Sequence, residues 1–134
     1  MVARPQTVVR QIPMKITFSL QSTGWNYRGF PELRDKFELK TAQRVRISYR
    51  VTIWTPKVTR FYTRLRIDGQ IEPSFIFMTC HTQERTHFAM NDIWLSKGWH
   101  YIDLEYCLGD ATSGQPANGK SYHYNELKIE YLEY

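Results

Sequence analysis

Between Arg44 and Trp54 the chain reads Arg-Val-Arg-Ile-Ser-Tyr-Arg-Val-Thr-Ile-Trp, and no other segment restricts the fold as tightly. Side chains of an extended strand alternate between two faces. Val45, Ile47, Tyr49, Val51 and Ile53 therefore share one side, and Arg44, Arg46, Ser48, Arg50 and Thr52 share the other. A helical period would scatter both sets around its axis, so the segment is a strand with one face toward a core. Thr55-Pro56-Lys57 interrupts it, because proline has no N–H to give to a ladder. Alternation resumes from Arg60 to Asp68, with Phe61, Thr63, Leu65 and Ile67 opposite Tyr62, Arg64 and Arg66. The two runs are expected to form a hairpin. Asp68-Gly69 tolerates the positive φ of a tight turn and sends the chain into Gln70-Ile71 and, past Pro73, into Ser74 to Thr79.

The same reading extends along the chain. Ser96-Lys97-Gly98 is a turn between Asn91–Leu95 and the run Trp99 to Leu108. In that run His100, Ile102, Leu104, Tyr106 and Leu108 point inward, while Asp103 and Glu105 face water. Gly109 to Ser121 reads as a loop. Tyr122 to Tyr134 closes the chain as a strand that buries Leu127, Ile129 and Tyr131 and exposes Glu126, Lys128 and Glu130, and two neighbours would pin it inside a sheet. Near the start, Val8–Ile12 and Lys15–Leu20 look like strands broken by Pro13, Gln21–Gly29 like a loop, and Lys36–Lys40 like an irregular strand. Many short strands with frequent turns and at most one turn of helix mean an all-β, antiparallel sandwich of about eight to ten strands.

Composition narrows the class. The chain has 134 residues, 42% hydrophobic and 15% aromatic, which suits one domain with its own core and excludes a disordered chain. No stretch approaches the roughly 18 consecutive apolar residues of a membrane-spanning helix, and Met1-Val2-Ala3-Arg4-Pro5 lacks the apolar run of a secretory signal. A net charge of +5 favours anionic surfaces and equally serves solubility. Cys80 and Cys107 could pair if neighbouring strands bring them together, with buried thiols the alternative. His81, His87, His100 and His123 match no zinc spacing, so neither a metal nor any other cofactor is expected.

Leu65-Arg66-Ile67-Asp68-Gly69, Leu95-Ser96-Lys97-Gly98-Trp99-His100-Tyr101-Ile102 and the run Tyr122 to Tyr134 together resemble a jelly-roll grammar. It occurs in sugar-binding β-sandwich modules, including family-six-like carbohydrate-binding modules and protective-antigen-type domains. The complement-type and tumour-necrosis-factor-like jelly rolls look similar, and that resemblance implies a trimer. The likeness spans Arg44 to Tyr134 and carries no site with it. The acidic calcium ligands of some sugar-binding modules have no matched positions.

Two constellations could carry function. If the two central runs pair, Arg44, Arg46, Arg50, Arg64 and Arg66 decorate one outer face, suited to an anionic polymer or to another subunit. Asp103, Glu105, Glu126 and Glu130 could instead neutralise it. Arginine together with Trp54, Tyr62 and Tyr101 has the composition of an interface centre. Trp25, Asn26, Tyr27 and Arg28 offer a flat apolar platform with donors for a sugar ring, or else a packed corner. Single-stranded nucleic acid is disfavoured, since the strand count exceeds that of an oligonucleotide-binding barrel and no helix accompanies it.

No catalytic constellation appears: there is no Gly-x-Ser-x-Gly or His-Glu-x-x-His, and Cys80 and His81 would point to opposite faces of a strand. The expectation is a non-catalytic, extracellular, homo-oligomeric jelly roll acting as a lectin-like carbohydrate-binding module. The alternative is a self-assembling structural subunit of capsid, fibre or matrix type without a small ligand.

Overall fold

The alternating centre of the sequence folds as a strand far longer than its proline suggests. In the computed structural model, which describes residues 7–12, 18–21, 27–110, 118–121 and 125–131, nine strands form. They are β1 (Thr7–Ile12), β2 (Phe18–Gln21), β3 (Arg28–Leu39), β4 (Gln43–Ile67), β5 (Gln70–Ile71), β6 (Phe77–Leu95), β7 (Gly98–Asp110), β8 (Asn118–Ser121) and β9 (Asn125–Tyr131). Every ladder is antiparallel. The only helical turn among the described residues is 3-10, at Pro73–Phe75, where the Glu72 carboxylate accepts the Ser74 hydroxyl at 2.9 Å.

The hairpin expected between the Arg44 and Arg60 runs does not form. Both runs belong to the 25-residue β4. Pro56 lies where the register against β6 shifts between Thr55 and Thr59, so its missing N–H falls at a bulge that makes no ladder pair. Opposite the bulge, β6 bends at Gln83, whose φ is 63°. Reversal comes instead at Asp68-Gly69, with φ values of 54° and 81°, and β5 then pairs back on Arg66 and Ile67 as the dipeptide predicts.

The bulge divides β4 between two layers. Before it, β4 lies between β6 and β9, from Val45↔Tyr131 to Arg50↔Glu126, with β1 beyond β9. After it, β4 lies between β6 and β7, from Thr59↔Asp110 to Ile67↔Ile102, with β3 beyond β7. The inner faces of the layers meet. The hydroxyls of Tyr49 and Thr63 are 2.8 Å apart, although a straight strand over their separation of 14 positions would span about 46 Å. At the far end, the Phe37 and Tyr131 rings lie 6.2 Å apart, and the Tyr131 hydroxyl donates to the Glu38 carbonyl at 3.2 Å. This is the antiparallel β-sandwich expected from the sequence.

The interior follows the alternation. Val45, Ile47, Tyr49, Val51 and Ile53 meet Phe61, Leu65, Ile102, Leu104, Leu127 and Ile129, all buried. Each such side chain contributes roughly 1.5–3 kcal/mol by leaving water. Burial pushes the Tyr49 hydroxyl up to about 12, so it stays neutral and bonded to Thr63.

Polar side chains serve the backbone where the ladders of β4 change partner. Between β9 and β8, the Thr52 N–H donates to Asn125 Oδ1 at 2.9 Å, and its carbonyl accepts the Ser121 hydroxyl at 3.0 Å. Asn125 Nδ2 in turn donates to Ser121 Oγ at 2.7 Å, so the Thr52 peptide and these two side chains satisfy one another at this break. The expected loop from Gly109 to Ser121 thus contains a strand, β8, held between β2 and β4. Gly119 is required there: a Cβ would stand 2.7 Å from the Trp54 carbonyl oxygen. The C-terminal β9 is flanked by β1 and β4, as expected for a pinned terminal strand.

Cys80 pairs in register with Arg60, and Cys107 with Tyr62 on the opposite side of β4. Two strand spacings, about 10 Å, separate their backbones, which is beyond the reach of a disulfide. Cys107 is a buried thiol outside any disulfide.

Candidate assembly surface

Because β4 changes layer at Thr55–Thr59, its outward arginines divide between the two outer surfaces of the sandwich. Arg44, Arg46 and Arg50 lie before the bulge, and Arg64 and Arg66 after it. The single five-arginine face therefore does not form, for the reason the hairpin does not: the chain passes Pro56 without reversing.

On the first surface, β6 supplies what the sequence reading overlooked. Phe88, Met90 and Trp94 point outward, 64%, 51% and 62% exposed, while the alternate Ala89 turns into the core. Register places Phe88 beside Arg50, Met90 beside Ser48 and Trp94 beside Arg44. Asp92 interrupts the apolar row and takes a two-pronged hydrogen bond from Arg46, Nε to Oδ1 at 2.8 Å and Nη2 to Oδ2 at 3.1 Å. That bond holds the Asp92 carboxyl below its ordinary value. Glu126 and Glu130 of β9 stand in register with Arg50 and Arg46. β6 pairs with β4 alone among the described strands, so its other edge carries no described partner. The period-two row Phe88, Met90, Trp94 was readable in the sequence; its direction needed the register with β4.

On the second surface the arginines are engaged within the fold. Arg64 Nε and Arg66 Nε both donate to Glu105 Oε1, at 2.7 and 2.9 Å, and the Glu105 side chain is only 14% exposed. Glu105 was expected to face water; instead two guanidinium groups cover it. Arg66 Nη1 also donates to the Gly69 carbonyl at 2.9 Å. Its neighbour Asp103, expected to be solvated, is half-buried, and burial with the Glu105 charge raises its carboxyl above the ordinary value.

Of the proposed sugar platform, Trp25 and Asn26 lie outside the described residues. Arg28 opens β3 at an exposed position. Tyr27 is half-buried, with the Arg64 guanidinium 3.8 Å over its ring centre. The structure thus brings together two residues that the sequence assigned to different sites. Beside them, Tyr27, Arg60, Tyr62 and Cys107 line a shallow hollow. A second hollow, at the start of β7, is lined by Lys36, Asp68, Trp99, His100 and Tyr101, with the Lys36 ammonium 5.6 Å from the Trp99 ring centre. Among the described residues no group of three His, Cys, Asp or Glu side chains could hold a metal ion. No described helix is long and apolar enough to cross a membrane.

An antiparallel sandwich with an exposed apolar row beside arginines defines a class of domain, and comparison with known proteins locates it further. No protein-family model matches the sequence, and no curated protein matches it. Solved structures match the fold. One is a T=1 particle derived from infectious bursal disease virus, with TM-score 0.64 and 11% identity over 96% of this chain and 32% of that one. Another is the VP2 subviral particle of the same virus, with TM-score 0.62 and 11% identity over 96% of this chain and 33% of that one. A third is dimeric latent PorU of Porphyromonas gingivalis, with TM-score 0.59 and 10% identity over 98% of this chain and 13% of that one. The chain spans a third or less of each, and at such identity the likeness shows the β-sandwich fold.

Proposed function

We propose that this chain is a non-catalytic structural subunit that assembles with further copies of itself through the outer surface of β4 and β6. The observation that carries the reading is the row Phe88, Met90 and Trp94, exposed beside Arg44 and Arg50 on a strand whose other edge has no partner among the described strands. Aromatic residues, methionine and arginine are the types enriched in interface centres, and a long apolar edge invites pairing unless something covers it. The viral neighbours support the same reading, since two of the structures that this fold resembles are of particles. Glycan recognition at Trp25–Arg28 draws no comparable support, because the one described aromatic ring of that group already carries a guanidinium on its face.

Light scattering after size exclusion, with negative-stain microscopy, tests this on the full chain. Oligomers or particles are expected, and Phe88→Lys with Trp94→Lys should reduce the mass to that of one chain while leaving the circular dichroism unchanged. A parent protein that stays monomeric at high concentration and low salt overturns the proposal. A glycan array run beside it separates the lectin reading: sugar binding by a monomer would establish that one instead.

A further inference from the structure

We infer that a doubly protonated His100 clasps the Asp68–Gly69 turn to the Ser96–Gly98 turn, and that the clasp is closed in mildly acidic water and loosens as the solution becomes alkaline. The geometry requires two protons on the ring. Nδ1 lies 2.7 Å from Asp68 Oδ2, and Nε2 lies 2.7 Å from the Ser96 carbonyl oxygen. A carbonyl oxygen only accepts, and so does an ionised carboxylate, so a ring with one N–H satisfies one contact and sets two lone pairs against each other at the other. The side chain is 6% exposed, which leaves little water to relieve that mismatch.

Asp68 is itself fixed to β7. Its Oδ1 accepts the Tyr101 N–H at 2.8 Å, and its own N–H donates to the Tyr101 carbonyl at 2.7 Å. With one carboxylate oxygen holding a backbone N–H and the side chain 46% exposed, the shared proton belongs on the imidazole. The clasp therefore joins the β4–β5 turn, the β6–β7 turn and the first residues of β7. The neighbouring Trp99 and Tyr101, 64% and 42% exposed, are presented from the strand it holds.

The groups around the ring are few. Asp68 faces it from the β4–β5 turn, and the Ser96 carbonyl from the β6–β7 turn, where Lys97 is exposed. From β3 come the Phe37 ring, 5.7 Å away, and Lys36, which lines the same hollow with its ammonium toward Trp99. Behind Phe37 stands Tyr131 of β9. Burial pulls the imidazole pKa down. The Ser96 bond, the Asp68 bond and the Asp68 charge together outweigh it and hold the value above the ordinary one. A raised folded value gives stabilisation that is complete below the unfolded pKa of about 6.5 and is lost as pH climbs through the folded value. The reading is independent of self-assembly.

The test is an NMR titration of the His100 ring nitrogens in the full chain. Both should carry protons at about pH 6, with a midpoint above the ordinary histidine value, and Asp68→Asn should lower that midpoint. Exchange of the Tyr101 amide, corrected for its intrinsic pH dependence, should quicken about three- to tenfold relative to the Leu104 amide once the proton leaves. In His100→Gln this extra pH dependence should vanish. A singly protonated ring at about pH 6, or a midpoint indifferent to Asp68→Asn, overturns the clasp, and the titration of the unmutated protein decides it even if either variant folds poorly.

Discussion

The two outer surfaces of the sandwich use the same strand and the same residue type to opposite ends. On one, Arg44, Arg46 and Arg50 of β4 stand beside exposed Phe88, Met90 and Trp94, and the pair of Arg46 with Asp92 keeps about a third of each side chain in water. On the other, Arg64 and Arg66 close over Glu105, and Arg64 lies against Tyr27. The difference teaches that arginine at alternate positions does not by itself define a binding face. The neighbouring strands differ: β7 sets Glu105 between two guanidinium groups, whereas β6 sets exposed Phe88, Met90 and Trp94 among the arginines. One surface is thereby closed over a shared carboxylate, and the other keeps an apolar row exposed beside its arginines.

Substitutions can sharpen that contrast. The largest effect is expected from Glu105→Ala, which strands two partly covered guanidinium groups at once. Chemical denaturation should show a loss of about 2–3 kcal/mol, a partly buried pair being broken from one side. A loss near zero would make the two surfaces equivalent.

Asp103→Asn should act more weakly and in the opposite direction. A carboxyl held above its unfolded value favours the folded state at low pH and opposes it once ionised, so removing the charge should raise the melting temperature slightly at neutral pH. The gain should shrink toward acid, where both proteins are neutral at this position. The smallest effect belongs to Asp92→Ala. Its pair with Arg46 is a water-exposed one, so the melting temperature should scarcely move. A marked drop would show that the first surface is also completed internally.

Much of the frame was legible because period-two alternation is a local property. The inward set Val45 to Ile53, the inward set His100 to Leu108, the turn at Asp68-Gly69 and the buried Leu127, Ile129 and Tyr131 all follow from residues within a few positions of one another. What alternation cannot give is which strands lie side by side. Pro56 was read as the end of a strand because a proline in a ladder loses a bond, but a bulge removes the bond that would be lost. Asn118-Gly119-Lys120-Ser121 was read as loop from its composition, yet the glycine is there because Trp54 leaves no room for a side chain. The candidate surface was half visible. Arg44, Arg46 and Arg50 were found on their common face, Arg64 and Arg66 were wrongly joined to it, and Phe88 and Met90 acquired a direction only once β6 was set against β4.

The bulged centre of β4 has a mechanical meaning. Since one continuous ribbon serves as an inner strand of both layers, neither can slide or peel away without dragging the other, and strain applied to one outer surface is delivered across the hydrophobic interior to the opposite one. The register shift between Thr55 and Thr59 is thus the point through which the two layers share one continuous backbone.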